Sequence, residues 1–160
     1  MTRPFTAFNF NVRIMLDDPE LDPLCEAAFA ECGGLEASTG IKTIREGGNN
    51  NQPVHLPGPV NYSQLSLRRG MTASFDLWDW FDRVQRDDER HLRARCEVEM
   101  LHSDGSTPQV RFVLTGCLPV KIKAPPLTAK DGEIAIEEME IAYELLTIER
   151  PEPAEGAASA

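Results

Sequence analysis

The sequence predicts a mainly β fold, an antiparallel β-sandwich or barrel of about six or seven strands with one packed α-helix. Several short segments alternate apolar with polar residues, which is the pattern of strands that bury one face. One segment, Ser74–Glu89, changes to the spacing of a helix. Clusters of Gly, Pro and Asn separate the periodic segments, where turns and loops are expected.

The first predicted element is a strand over Phe8–Leu16, because every second residue there is apolar. The next segment, Leu24–Leu35, is ambiguous. Its residues LCEAAFAE favour a helix, whereas Phe29, Glu31 and the Gly33-Gly34 break favour a strand with a bulge. We favour the strand and keep the helix as the alternative.

A stretch rich in Gly, Asn and Pro then occupies Ile44–Gly70. Gly residues permit positive φ and Pro residues fix φ, so Gly47-Gly48 and Pro57-Gly58 predict a long, shaped loop over residues 44–62. Loops of this length in small domains usually have a function. Alternation over Tyr62–Leu67, ending at Gly70, predicts a short strand followed by a turn.

The helix predicted over Ser74–Glu89 begins with Ser74 as its N-cap and has Asp76 in its first turn. Its predicted buried face consists of Leu77, Trp78, Phe81 and Val84. Alternation then resumes from Leu92 to Met100, and Ser103-Asp104-Gly105 turns the chain into a second alternating run over residues 110–114. These two runs predict an antiparallel hairpin.

The last periodic segment, Glu133–Glu149, changes phase between Ile136 and Met139. A strand with a bulge near Glu137-Glu138 explains this change, and a helix is the alternative because Glu, Met, Ala and Leu favour helices. The tail that begins at Pro151 is expected to be disordered. The domain is therefore predicted to span residues 1–150.

Composition excludes several classes of protein. A chain of 160 residues fits one domain that buries roughly 70% of its unfolded surface. A net charge of −10 argues against duplex DNA as a general ligand. Four Cys without CxxC spacing, and an N-terminus that does not resemble a signal peptide, predict reduced thiols and synthesis in the bacterial cytoplasm. No apolar run approaches the roughly 18 residues of a membrane span, so we expect no membrane anchoring by this chain.

Catalytic and metal-binding patterns are absent from the sequence. The three His residues have no HExxH or HxH spacing, and GxSxG, Walker and GxGxxG patterns do not occur. We expect no enzyme activity, no cofactor and no metal site. A polar phase of the predicted strands instead collects Asn9, Asn11, Arg13, Arg93, Arg95, Glu97, Glu99, Arg111 and Thr115. Such a phase is either an ordinary solvated face or the wall of a water-filled space.

Five ordered segments carry a resemblance to a known family. They are FAECGGLEA, IREGGNNNQPVHLPG, LSLRRGMTASFDLWDWF, LPVKIKAPPL and AIEEMEIAYELL. In order and approximate spacing they resemble the contractile phage tail tube family, which includes the inner tubes of phage-derived extracellular injection systems. The similarity extends over about Phe5 to Ile148. It implies a tail-tube fold and a structural subunit whose rings, typically hexameric, stack into a tube with a lumen.

The resemblance also implies roles for residues and partners. The expected inter-subunit contacts are Ile44, Arg45, Glu46, Gly47, Gly48, Leu56, Pro57, Gly58, Arg68, Arg69 and Gly70, with Arg45-Glu46 and Arg68-Arg69 in ion pairs between subunits. The expected lumen-facing residues are Asn9, Asn11, Arg13, Arg93, Arg95, Glu97, Glu99, Arg111, Glu138 and Glu140. Expected partners are further copies of the chain, sheath and baseplate subunits, and a cargo protein or DNA in the lumen.

Three alternatives remain open from the sequence. A baseplate tube-initiator paralogue shares the same segments, and a type VI secretion tube ring shares the implied fold. A β-sandwich that is an enzyme or binds a small ligand is the third alternative, and the absent catalytic patterns argue against it. The sequence leaves open whether the particle is a phage, a bacteriocin or an injection system.

Overall fold

The computed structural model of the chain describes residues 9–17, 24–45, 47–48, 51–129 and 132–150. These residues form ten β-strands and one α-helix. The strands are β1 (Phe10–Leu16), β2 (Cys25–Ala27), β3 (Glu31–Gly33), β4 (Ala37–Ile44), β5 (Val54–Tyr62), β6 (Leu65–Gly70), β7 (Ala94–Leu101), β8 (Pro108–Lys123), β9 (Ile136–Ala142) and β10 (Leu145–Glu149), and helix α1 spans Asp76–Gln85. The predicted mainly β class with one helix is confirmed. The strands outnumber the prediction because two predicted segments, 24–35 and 133–149, contribute two strands each, and because β4 and β5 form where no strand was predicted.

Antiparallel strands surround one core in the order β2-β1-β7-β8-β9-β6-β3, with β10 also pairing with β8. We call β2, β1, β7, the first half of β8 and β10 sheet 1, and the second half of β8 with β9, β6 and β3 sheet 2. Val12 and Ile14 of sheet 1 share a buried cluster with Leu67 and Met139 of sheet 2. The two sheets therefore pack over the same core.

Strand β8 belongs to both sheets, and β9 and β10 run along one side of it. Leu118 pairs with Ala142 and Thr115 pairs with Leu145, so the register is the same on either side of a break at Tyr143-Glu144. The Glu144 N–H still donates to the Thr115 carbonyl at 2.9 Å. The hairpin predicted between β7 and β8 is confirmed by their pairing from Ala94 to Leu101.

The predicted bulge near Glu137-Glu138 is wrong. Glu137 is buried in the same phase as Met139 and Ile141, so the alternation does not slip there. The register shift in this region lies in β8, between Pro119 and Lys121. The sequence pattern changes phase because a charged residue, Glu137, occupies a core position.

Helix α1 buries Leu77, Trp80 and Val84, and Trp80 is 0% exposed. The predicted buried face, which contained Trp78 and Phe81, is therefore rotated from the observed one. The predicted cap at Ser74 is also wrong, because the N-cap is Phe75 and makes no side-chain hydrogen bond.

The predicted loop over residues 44–62 is wrong for Ile44 and for residues 54–62, which lie in strands, and correct for the described residues between 44 and 54. Strands β4 and β5 pair with each other as a separate two-stranded antiparallel sheet. Ile and Thr residues in β4 and Val residues in β5 favour extended backbone, and Pro57 is tolerated because β5 has a free edge. We call residues 37–62 the arm.

The segment 24–35 forms two short strands, β2 in sheet 1 and β3 in sheet 2, so its extended conformation is correct. The single strand with a bulge and the alternative helix are both wrong. The short strand predicted from Tyr62 begins at Leu65, since Tyr62 ends β5. Phe8, at the start of the first predicted strand, and the tail from Pro151 lie outside the described residues.

We expect Gly34→Ala to destabilise the fold and Gly33→Ala to leave it almost unchanged. Gly34 has a φ of +86°, and a Cβ atom there would lie 1.9 Å from the Gln64 carbonyl oxygen. A Cβ atom on Gly33 meets nothing within 4 Å. Urea denaturation should show a loss of more than about 2 kcal/mol for Gly34→Ala only. Equal losses in the two variants would contradict this account.

Candidate functional site

The arm is exposed over nearly all the residues that the structure describes, and only Gly58 and Tyr62 among them are half-buried. Five large apolar side chains on it are 39–68% exposed: Ile41, Ile44, Val54, Leu56 and Val60. A paired hairpin that keeps this much apolar surface in water is a candidate interaction surface.

Backbone contacts within the arm require a small residue at Gly58. The register shifts after Thr39, and the Thr39 hydroxyl donates to the Gly58 carbonyl oxygen at 2.8 Å. A Cβ atom on Gly58 would lie 3.0 Å from the Gly40 carbonyl oxygen. The two strands therefore approach closely at this point of the arm.

The structure divides the predicted contact residues into two groups. Those on the arm or at its tip are Ile44, Arg45, Gly47, Gly48, Leu56, Pro57 and Gly58. Glu46 lies outside the described residues. The other group, Arg68, Arg69 and Gly70, belongs to β6 in the body of the protein.

Arg69 is buried inside the protein, so its predicted ion pair between subunits is wrong. It shares the inward phase of β6 with Leu65 and Leu67 and is only 6% exposed. Its Nε donates to Glu137 Oε1 at 2.5 Å, and its Nη2 donates to Asp76. The sequence signal for this position was the alternation of β6 itself, which places the fifth residue of the strand inward.

Further contacts complete the ion cluster around Arg69. Glu137, 1% exposed, also accepts a hydrogen bond from Trp78 Nε1 at 2.9 Å. The Phe29 ring centroid lies 5.5 Å from the Arg69 guanidinium carbon. Asp76 accepts from its neighbour, the Leu77 backbone N–H, at 2.8 Å. Trp78 therefore binds the cluster, which explains why it is displaced from the helix face that packs on the core.

The cluster shifts the pKa of both Arg69 and Asp76. Burial alone would lower the pKa of Arg69, but hydrogen bonds to Asp76 and Glu137 outweigh it and the pKa rises. Burial alone would raise the pKa of Asp76, but the hydrogen bond from Arg69 outweighs it and the pKa falls. Both groups are therefore held in their charged forms.

Arg68, next in the chain, is half-exposed and pairs within its own subunit. Its Nη1 lies 2.8 Å from Glu31 Oε2, and its Nε lies 3.7 Å from Glu138 Oε2. Glu140 lies 3.6 Å from the Lys121 Nζ. Glu138 and Glu140 are therefore on the outer face of sheet 2, on a different sheet from the other predicted lumen residues.

The outer face of sheet 1 carries a network of ion pairs. Its members are Arg13, Glu26, Arg95, Glu97, Glu99, Arg111 and Glu149. Glu97 is the centre of this network, because its carboxylate lies within 4.0 Å of all three guanidinium groups. The face thus combines three Arg with four Glu, and each Arg has at least one carboxylate partner.

The remaining predicted residues of this face lie at its border or beside the network. Asn11 pairs with Glu99 across β1 and β7, and Thr115 pairs with Leu145. Asn9 donates to the His102 carbonyl oxygen at 3.3 Å. Arg93 precedes β7, and its guanidinium donates to backbone carbonyls of its own loop rather than to the network.

The cysteines do not form a reactive site. All four are free thiols, and Cys25, Cys96 and Cys117 are buried. Burial raises the pKa of the Cys25 thiol to about 12 and that of Cys32 to about 11. Within the described ranges, no group of three or more His, Cys, Asp or Glu side chains is arranged to hold a metal ion. Among the same residues, no helix is long and apolar enough to cross a membrane.

The family model described as T4-like virus tail tube protein gp19 matches residues 6–147 of this chain. The chain belongs to that tail tube family. No curated protein sequence matches it significantly. A protein in the baseplate structure of the anti-feeding prophage is 27% identical, with a TM-score of 0.80 over 94% of this chain and 98% of that one.

Two further solved structures share the fold of this tail tube family member. One is from the sheath–tube complex of the PVC extracellular contractile injection system, with 18% identity and a TM-score of 0.76 over 92% of this chain and 93% of that one. The other is an Hcp protein, with 8% identity and a TM-score of 0.54 over 88% of this chain and 99% of that one. The chain is therefore a tube- or baseplate-type protein of phage tails and contractile injection systems.

We expect Arg69→Met to destabilise the protein far more than Arg68→Met. Removing Arg69 leaves Glu137 as a buried charge without its ionic partner, which typically costs about 3–5 kcal/mol. Arg68 is 46% exposed, and losing such a pair typically costs less than about 1 kcal/mol. Urea denaturation of both variants checks this. Adding Glu137→Gln to Arg69→Met should recover part of the loss, and no recovery would argue against a buried-charge penalty.

Unfolding free energy should fall in acid through Asp76. Its pKa is lower in the folded protein than the ordinary value of 3.8. Its stabilising contribution is therefore complete above 3.8 and disappears as the pH falls through the lower, folded-state pKa. Denaturation between about pH 5 and pH 2 should show a shallower pH dependence for Asp76→Asn than for the parent. Asp79→Asn, on the exposed side of the same helical turn, is the matched control.

Proposed function

We propose that this chain is a structural subunit of the inner tube of a contractile tail or injection system. It forms hexameric rings that stack around a lumen, through which a cargo protein or DNA passes, and it catalyses no reaction. The observation that carries this proposal is the full-length agreement with the anti-feeding prophage protein, at a TM-score of 0.80. Agreement over 94% of the chain leaves only about ten residues unmatched, so it extends into the arm, which contacts the subunit's own core through Tyr62 at its base.

The arm is the proposed contact between subunits. An isolated two-stranded hairpin is at best marginally stable in water, so an exposed one needs a surface to pack against. Ile41 and Val60 are 68% and 54% exposed, and a neighbouring subunit that covers them gains the free energy of burying them. Arg45, Gly47, Gly48, Leu56, Pro57 and Gly58 belong to the same contact in this proposal.

The outer face of sheet 1 is the proposed lumen wall. Its guanidinium groups are already paired with carboxylates, and its network has one more Glu than Arg. A passing polyanion therefore finds no unneutralised cation of this network to bind, which favours transport over adhesion. Glu138 and Glu140 are not part of this wall, because they lie on the outer face of sheet 2.

Sheath and baseplate subunits are the proposed partners outside the ring. The solved relatives come from a baseplate and from a sheath–tube complex, and a tube that shares their fold needs surfaces for both. In this proposal the subunit is synthesised in the bacterial cytoplasm and assembled there into the particle.

A baseplate tube initiator is the second candidate. It is favoured by the higher identity to the baseplate protein, 27%, than to the protein of the sheath–tube complex, 18%. An initiator nucleates a tube rather than extending it. A type VI ring is less well supported, because the solved type six secretion system protein has a TM-score of 0.51.

Negative-stain electron microscopy of the purified protein tests the assembly and separates the two candidates. A tube subunit should form rings that stack into tubes as the concentration rises, whereas an initiator should remain as single rings. Deleting residues 48–53 should suppress stacking, because it removes the arm tip. The deletion joins Ile44 and Val54, which already pair, through a three-residue turn.

The shortened arm keeps its strand pairing, so the deletion variant should retain the parent's far-ultraviolet circular dichroism and melting temperature. Tubes of normal length in this variant would overturn the role of the arm tip. A parent protein that stays monomeric at all concentrations would overturn the proposed function as a whole.

A further inference from the structure

The two tyrosines of the chain meet at the base of the arm. Tyr62 is the last residue of β5, and Tyr143 follows the last residue of β9. Their ring centroids lie 5.5 Å apart, with the ring planes inclined at 46°. Tyr143 is only 8% exposed and belongs to the buried core, whereas Tyr62 is half-buried and packs against that core. This aromatic pair therefore joins the second strand of the arm to the rest of the subunit.

The Tyr143 hydroxyl holds the chain where it enters the first strand of the arm. It donates to the Gly34 carbonyl oxygen at 2.8 Å and accepts from the Glu36 backbone N–H at 3.4 Å. A hydroxyl does both at once, because it has one proton and two lone pairs. Burial raises the pKa of Tyr143 above the ordinary value of 10.0, so the hydroxyl keeps the proton that it donates. Glu36 immediately precedes β4, so one side chain contacts both strands at the base of the arm.

Strand pairing holds Tyr143 itself in place. It lies in the short break between β9 and β10, and residues on both sides of that break pair with β8. Ala142 pairs with Leu118, and Leu145 pairs with Thr115. The backbone that carries the ring is therefore fixed by the strand that belongs to both sheets.

The direction of the arm depends on few contacts. Among the residues that the structure describes, β4 and β5 pair only with each other, so no strand of sheet 1 or sheet 2 extends into the arm. The Ser63 N–H donates to the Glu36 carbonyl oxygen at 3.2 Å, which closes the base of the hairpin without connecting it to either sheet. A strand of eight residues such as β4 extends roughly 26 Å, so a rotation of about 10° at the base moves the tip by roughly 5 Å. A fixed direction therefore requires a contact at the base that resists rotation.

We propose that Tyr143 is a positioning residue for the arm, which holds both strands at their base so that the arm keeps one direction in the free subunit. Its ring supports Tyr62, and its hydroxyl fixes the chain at Gly34 and Glu36. The proposal goes beyond the proposed function, because it concerns a subunit that has bound no partner. Its consequence for assembly rests on that function, since an arm that is already fixed loses less conformational entropy when a partner covers it.

Distances between two spin labels in the free subunit test the direction of the arm. The labels are attached at Lys42→Cys in β4 and at Gln85→Cys in α1, which are both exposed positions. Cys32 is replaced by Ala in every sample, since the other three native thiols are buried. Double electron–electron resonance, at concentrations below those of assembly, then gives the distribution of the distance between the labels.

The parent with these labels should give one narrow distribution. Tyr143→Leu removes both the ring contact and the hydroxyl, and it should at least about double the width of the distribution, because a small rotation at the base moves the tip by several ångströms. Tyr143→Phe keeps the ring and loses only the hydrogen bonds, so its width should lie between those of the parent and Tyr143→Leu.

Tyr62→Phe is the matched control. It removes a hydroxyl from the other ring of the pair and keeps the ring contact, so its width should equal that of the parent. Both Trp residues of the chain lie in α1, and unchanged tryptophan emission in a variant shows that the helix still packs on the core. If Tyr143→Leu does not fold, Tyr143→Phe alone decides. A parent-like width in folded Tyr143→Phe, or a broad distribution in the parent, would overturn the proposal.

Assembly of the unlabelled variants separates this proposal from the proposed function. Tyr143→Phe should need a protein concentration about threefold or more above that of the parent to form rings and tubes, as sedimentation velocity measures. Assembly at the parent's concentration by a variant with a broad distribution would overturn the consequence for assembly. If the parent forms neither rings nor tubes, the proposed function fails, and the distances between the labels still decide whether Tyr143 fixes the arm.

Discussion

The ion pairs of the buried Arg69 fix the arrangement of the body, the part of the protein that lies outside the arm. Its contacts join β6 to α1 through Asp76 and to β9 through Glu137, while Phe29 covers one side of the guanidinium. A charge removed from water is tolerated only where fixed partners surround it. The helix therefore has to sit where Asp76 and Trp78 reach the same buried carboxylate and guanidinium. This requirement links elements that are distant in sequence, and the apolar core then packs around the positions that it defines.

The arm presents the opposite physical situation. The body satisfies its buried charges internally and encloses an apolar core between two sheets, whereas the arm is a two-stranded hairpin that leaves five large apolar residues in water. This difference indicates that the body and the arm have different roles. The residues of the body maintain the fold of a single subunit, and in the proposed assembly the exposed apolar side chains of the arm are covered by another molecule. The family to which the chain belongs consists of tube proteins, for which this division is expected.

Sequence patterns predicted the class of the fold, the helix and the β7–β8 hairpin, because alternation and helical spacing follow directly from which face is buried. These patterns failed where a charged or polar group occupies a position that the pattern assigns to an apolar one. Arg69 and Glu137 occupy inward positions. The family resemblance placed Arg69 at an interface, and the phase of the apolar residues alone placed a bulge at Glu137. Trp78 was assigned to the core from the helical spacing of apolar residues, which does not reveal its hydrogen bond. The strands of the arm were not predicted because Pro and Gly residues are typical of loops, although they are also compatible with a strand at the edge of a sheet. Most residues of the sheet 1 network share one phase of the sequence pattern. Which of them form ion pairs could not be predicted without the order of the strands.

Strand β8 has a mechanical consequence that follows from its length and its place in both sheets. Its sixteen residues are paired along one side with β9 and β10 in nearly continuous register. A force directed along these strands loads many backbone hydrogen bonds in parallel, so that they must break together. A force directed across them would open the same bonds one after another. A subunit loaded along these strands therefore resists deformation more strongly than one loaded across them. Because β8 belongs to both sheets, its continuous backbone transmits the load from one sheet to the other.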